Sequence, residues 1–142
     1  KQIREFNTTY FNSISIIEPS ITQVELNEEY LPMIDNGTYR EASLLVLRKL
    51  TYFMTLLQMS VKQENLSFPK FLLIDTPANL GIDDDKLNKG IGLVNLVYLE
   101  SDKLGQLDFQ VILTTRLGKY PLFHKKNVFG ILEGDEKLLI RK

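Results

Sequence analysis

The sequence predicts an α/β fold in which a partly parallel sheet is flanked by helices. Three observations carry this. Phe71-Leu72-Leu73-Ile74 is an unbroken apolar run that ends in Asp75, with Pro77 two residues on to stop the strand. A long, strongly apolar helical stretch lies upstream of it, from about Arg40 to Val61. A helical stretch and then a second strand, Asp108 to Leu113, lie downstream. Strands that alternate with helices favour parallel pairing, because a crossover helix returns the chain to the same edge of the sheet. So short an apolar run reads as a strand buried on both faces, and the expectation is a covered strand with Asp75 at its carboxyl end. That end is where open α/β sheets place their ligands.

The elements follow in order. Ile3, Phe6, Tyr10, Ile14 and Ile17 recur at spacings of three and four, the pattern of an amphipathic helix over the first seventeen residues. Pro19 ends it. Ile21 to Leu26 alternates apolar and polar residues and predicts a half-buried strand. Asp35-Asn36-Gly37 is a turn signal. In the long helix, Ala42, Leu44, Leu45, Leu47, Leu50, Phe53, Met54 and Leu57 cover most of the circumference, which predicts a largely buried element. Asp83-Asp84-Asp85 opens the next helix, where carboxylates cap free amides and sit at the positive end of the helix dipole. Leu87, Ile91, Val94 and Tyr98 carry its apolar spacing. Three adjacent aspartates can also suggest a divalent-metal site, but the helical spacing after them favours the helix start. Val128 to Leu132 and Lys137 to Ile140, joined at Glu133-Gly134-Asp135, predict a terminal β-hairpin.

Composition narrows the function classes. The 142 residues form a single domain, long enough to bury roughly 68% of the unfolded surface. Seventeen basic and eighteen acidic residues nearly cancel, so no global field marks nucleic acid or an anionic membrane as a direct partner. Without cysteine there is no disulfide framework, thiolate zinc site or thiol nucleophile, and the expectation is a cytoplasmic protein. No run of eighteen or more apolar residues predicts a membrane span. His124 is the only histidine; it lies in Phe123-His124-Lys125-Lys126, a basic turn that with Lys119, Arg141 and Lys142 offers at most a modest phosphate-contacting patch. The first residue is Lys1 rather than methionine, which fits a piece of a longer polypeptide.

Taken in order, these parts resemble the C-terminal lobe of an SMC-like head domain of the ABC-type ATPases, a P-loop NTPase-like half-domain, over roughly residues 1–142. Phe71-Leu72-Leu73-Ile74-Asp75 resembles the Walker B strand, and the resemblance implies that Asp75 helps hold a magnesium ion through coordinated water. The family's next residue is a glutamate that activates the attacking water; here it is Thr76, which cannot act as a carboxylate base. Asn79-Leu80-Gly81-Ile82-Asp83 resembles a D-loop one residue longer than usual. Thr115 stands at the position of the family's switch histidine. The weakest match is the signature segment, which in the family meets the nucleotide held by the opposite subunit. Ser43, and further upstream Gly37 or Thr38, stand nearest to it, without the family's paired glycines.

No Gly-x-x-x-x-Gly-Lys-Ser/Thr loop occurs in the sequence, so the phosphates of a nucleotide have no cradle within it. The resemblance therefore implies an N-terminal ATPase half carrying that loop, with residues 1–17 as the end of a coiled-coil or linker helix. It implies ATP and magnesium as ligands, head–head homodimerisation and contact with DNA through the full assembly, with no membrane partner. Two alternatives stand beside it. A degenerate, non-catalytic head would serve as a protein-interaction scaffold. Ile74-Asp75-Thr76-Pro77 before Leu80-Gly81 is also similar to the Asp-Thr-Pro segment of ParA/MinD-type ATPases, which do not ordinarily carry the long apolar helix directly upstream.

Overall fold

A computed structural model describes residues 1–37, 42–75, 82–105, 108–114 and 121–123. Helix α1 spans Gln2–Ile17 and turns Phe6, Tyr10, Ser13, Ile14 and Ile17 inward, as its spacing predicts. Ile3, the first residue of the predicted stripe, is instead exposed. Glu18 is itself extended and its N–H closes the helix on the Ile14 carbonyl at 2.9 Å, after which the Ile21 N–H bonds the Glu18 carbonyl at 3.2 Å in a turn.

Strands β1 (Val24–Leu26) and β2 (Pro32–Ile34) form an antiparallel hairpin, with Val24 opposite Ile34 and Leu26 opposite Pro32. Val24 and Ile34 are buried, while Glu25 and Met33 face outward. The connection is organised by Asn27, whose side-chain oxygen accepts from the Glu29 and Leu31 amides at 3.0 and 2.8 Å. That side chain supplies a local substitute for ladder bonds, a common use of Asn in turns. The hairpin is a sheet of its own, separate from the parallel pair described next.

Helix α2 (Ala42–Lys62) is the central element and touches α1, the two later helices and the parallel pair. Leu44, Leu47, Leu50, Met54, Leu57, Met59 and Val61 are buried, whereas Leu45 and Phe53 lie on a strip open to solvent. The stretch Leu44–Lys62 is long and apolar enough to cross a membrane by length and composition, with mean hydropathy 1.2, yet 56% of that window is buried inside the fold. More than half of that window is thus taken up by the core.

Against α2, Tyr10 of α1 is fully buried, donates from its hydroxyl to the Arg48 carbonyl at 3.3 Å and stacks on Phe6. Burial pushes the Tyr10 phenol well above its usual range, with the nearby Arg48 guanidinium offsetting part of the shift. Arg48 in turn donates to the Pro32 carbonyl, fixing the hairpin to α2.

Strands β3 (Phe71–Asp75) and β4 (Gln110–Thr114) pair in parallel, with Phe71 beside Gln110 and Asp75 beside Thr114. Between them run α3 (Asp84–Gly92) and α4 (Val94–Lys103). The sequence reads these two as one helix, but the chain breaks at Leu93, whose N–H bonds the Gly90 carbonyl at 3.3 Å. Gly90 and Gly92 lie just before the break, and glycine is a poor helix former. Gly90 also packs closely against α2. A Cβ there would stand 3.1 Å from Leu50 Cδ2 and 3.2 Å from Leu47 Cδ2.

The expectation that β3 is buried on both faces is not met. Leu72 and Ile74 point into the core with Val111 and Leu113, but Phe71 is 44% and Leu73 59% exposed. The reason lies in the layers. Helices α2 and α4 supply the apolar cover on one side through Leu57, Val61 and Val97, and no described element covers the other. The described architecture is thus mixed α/β, with one parallel pair and one separate hairpin. The predicted terminal hairpin lies outside the described residues.

Candidate functional site

The site is built by the alternation of β3. Because successive side chains face opposite ways, burying Leu72 and Ile74 sends Phe71, Leu73 and Asp75 to the outer face. The parallel register places Gln110, Ile112 and Thr114 beside them on that face. The outer face is apolar in its middle, at Leu73 and Ile112, and polar at its carboxyl end, at Asp75 and Thr114. There the Thr114 hydroxyl donates to Asp75 Oδ1. At the opposite end Lys70 pairs with Asp108, and the Gln110 amide bonds the Lys70 carbonyl at 2.9 Å, so the register is pinned from both ends.

Asp75 is exposed, and its carboxylate together with the Thr114 hydroxyl forms a set of hard oxygen donors. Magnesium is held by such donors, commonly by only one or two protein groups, with water and phosphate oxygens completing the octahedron. The pair fits that requirement as part of a site. Among the described residues no group of three or more His, Cys, Asp or Glu side chains forms an all-protein metal cage.

The other residues proposed from the sequence are distributed as follows. Asp83 caps α3: its Oδ1 accepts from the Asp85 amide at 2.8 Å and the Lys86 amide at 3.3 Å. Gly37 ends a short 3-10 turn, Asp35–Gly37, directly after β2, with φ of 82°. Asp35 and Asn36 are also left-handed in that turn, a conformation that Asp and Asn tolerate better than most residues. Asp35 holds the turn to the start of the hairpin by accepting from the Thr22 amide and hydroxyl and from the Gln23 amide, at 3.0, 2.8 and 2.8 Å. Desolvation would raise the Asp35 carboxyl, but these bonds together outweigh it and hold it below its ordinary value. Ser43 is the second residue of α2. Thr76, Gly81 and Thr115, like Thr38, lie outside the described residues.

The structure thus brings Asp75 together with Thr114, a residue the sequence reading did not single out. A signal for Thr114 was present. Gln110, Ile112 and Thr114 form one period-2 series, and whichever face takes Asp75 takes that series too once the strands are in register. Register between distant strands is what the sequence does not print. Compared with protein-family models, with curated proteins and with solved structures, the chain finds no match.

Proposed function

We propose that this chain is the C-terminal lobe of an SMC-like ATPase head. In this reading it supplies the Asp75 carboxylate to a magnesium–nucleotide site that an N-terminal half completes with a phosphate-binding loop. The carrying observation is the parallel pair β3–β4, which ends in Asp75 bonded to Thr114 and leaves Phe71 and Leu73 uncovered on the same face. Parallel strands are ordinarily covered on both faces, so a half-covered pair with a carboxylate at its carboxyl end suits a lobe that receives another one.

Within this arrangement Asp75, whose carboxylate accepts from the Thr114 hydroxyl, would hold the ion through coordinated water. Bound magnesium would neutralise developing charge on the phosphates. The segment near Gly37 and Ser43 would face the nucleotide of a second head, so that ATP joins two heads and hydrolysis releases them, with DNA engaged by the whole assembly. Thr76 offers no carboxylate to activate water, which makes turnover slow unless another residue supplies that role. The same threonine favours a second reading, a non-catalytic head that acts as a scaffold.

The test is to join the chain to an N-terminal half bearing the phosphate loop and to measure ATP binding and turnover with and without Asp75→Ala. Turnover that is lost on substitution supports the ATPase reading. Absence of turnover, with nucleotide binding unaffected by Asp75→Ala, supports the scaffold. Turnover by the present chain alone overturns the assignment of the phosphate loop to another half.

A further inference from the structure

We propose that Asn36 is a site of spontaneous deamidation, through a cyclic imide closed by the Gly37 nitrogen, and that the isoaspartate product undoes the turn after β2. This holds whether or not the chain serves as an ATPase lobe. Asn36-Gly37 is the one Asn-Gly pair among the nine asparagines of the sequence. Both residues are exposed, and a Cβ built on Gly37 would meet nothing within 4 Å. Among the described residues the Asn36 side chain has no hydrogen-bond partner to hold it away from the backbone.

The reaction needs water alone. The Gly37 amide nitrogen attacks Asn36 Cγ, a new N–C bond forms and the Cγ–Nδ2 bond breaks. The proton shed by the nitrogen is relayed through solvent to the departing ammonia. Water then opens the imide at one of its two carbonyls. Attack at Cγ gives aspartate; attack at the backbone carbonyl leaves the chain linked through the side chain, as isoaspartate. Glycine suits the ring closure, because no Cβ crowds the attacking nitrogen and the backbone tolerates the rotations required. Asn36 must leave its ψ of 30° to bring that nitrogen to Cγ. The turn opposes this only weakly. Asp35, Asn36 and Gly37 are all left-handed, with φ of 45, 55 and 82°, a backbone that residues with a Cβ adopt at a cost and that opening relieves.

Asp35 shows what the product would undo. Its carboxylate accepts from the Thr22 amide and hydroxyl and from the Gln23 amide, and its own amide bonds the Gln23 carbonyl at 3.0 Å. Isoaspartate inserts a backbone carbon directly after this anchor, so the left-handed run cannot keep its geometry. It also sets a second carboxylate beside the first, and like charges repel.

The experiment holds the full chain in mildly alkaline buffer, native or unfolded in urea. Each sample is digested and every asparagine peptide is followed by mass spectrometry, with isoaspartate labelled by an isoaspartyl methyltransferase. In the native chain Asn36 should lose its amide several-fold faster than any other asparagine, at a rate close to that in urea, with isoaspartate among the products. A native Asn36 no faster than the other asparagines overturns the site, as does one that keeps its amide while the unfolded chain loses it. The amide resonances of Thr22 and Gln23 report the turn. They should shift in the isoaspartate form, and less in Asn36→Asp, which adds the charge without the extra carbon. Unshifted Thr22 and Gln23 signals in the isoaspartate form refute the loss of the turn.

Discussion

Adjacent residues on β3 offer a direct test of the half-covered sheet. Ile74 is 9% exposed and packs with Leu72, Val111 and Leu113, whereas Leu73, its neighbour, is 59% exposed on the outer face. Truncating a buried isoleucine to alanine costs about 2–5 kcal/mol, through lost transfer energy and the cavity left behind. Ile74 is near the end of a five-residue strand in a two-stranded sheet, where neighbours can relax, so the lower part of that range applies, about 2–3 kcal/mol. Leu73 removes only about two-fifths of its surface from water; scaling the ~1.5–3 kcal/mol of a fully buried leucine gives about 0.6–1.2 kcal/mol, with no cavity to add. Urea unfolding followed by far-ultraviolet circular dichroism should therefore show Ile74→Ala lowering the midpoint further than Leu73→Ala, by a factor of about 1.7 to 5, at constant m-value. Equal losses for the two substitutions would mean that the outer face is covered within the chain, leaving no open face for a second lobe to dock on.

Two further expectations concern the core and its pH dependence. Gly90→Ala sets a helix-propensity gain of about 1 kcal/mol against a Cβ placed 3.1–3.2 Å from the ends of Leu50 and Leu47. Because both contacts are movable methyl groups the net change should be small, whereas Gly90→Val, whose added methyls cannot be absorbed in the same way, should destabilise by about 1–3 kcal/mol in the same urea assay. Glu18 meets Lys86 at 2.6 Å, and the bond from Lys86, with a second from Ser20, holds its carboxyl below the ordinary 4.5. A depressed folded value means that the contribution is fully present above the unfolded pKa and is lost as pH falls through the folded one. Comparing the wild type with Glu18→Gln from pH 7 to pH 3 should show a stability gap of no more than about 1 kcal/mol, since Lys86 is partly exposed, closing below pH 4.5.

The local features were largely legible in the sequence. The inward stripe of α1 after Ile3, the burial of α2 and the capping by Asp83 all follow from spacings within one helical turn, where the chemistry that decides the structure lies close in sequence. The two strands of the parallel pair were legible for the same reason. What was not legible depends on partners far along the chain. Phe71-Leu72-Leu73-Ile74 looks like a doubly buried strand because composition records apolar residues but not how many layers are present to cover them. The hairpin strand Pro32–Ile34 is only three residues long, too short to show a period, and it forms because Arg48 and Asp35 tie it down from elsewhere. That Thr114 stands beside Asp75 could not be read before the register was known.

The half-covered pair also bears on how such a chain stays folded. Two parallel strands are a marginal sheet, and an uncovered apolar face adds nothing to their stability. Among the described residues, none of the fully buried large apolar side chains lies on β3 or β4: Tyr10, Ile14, Ile17, Leu47, Met54, Leu57, Met59, Ile91 and Val97 are on helices and Ile34 is on β2. The helical layer can therefore hold β3 and β4 by their inner face alone, through Leu72, Ile74, Val111 and Leu113. That division of labour leaves the outer face open among the described residues, with Asp75 and Thr114 at its rim, where the proposed second lobe would dock. A protein whose stability resided in the sheet could not leave that face open. One whose stability resides in α1, α2 and the α3–α4 pair can, and this is the physical reason that a half-covered strand pair and a well-packed helical core can coexist among the described residues.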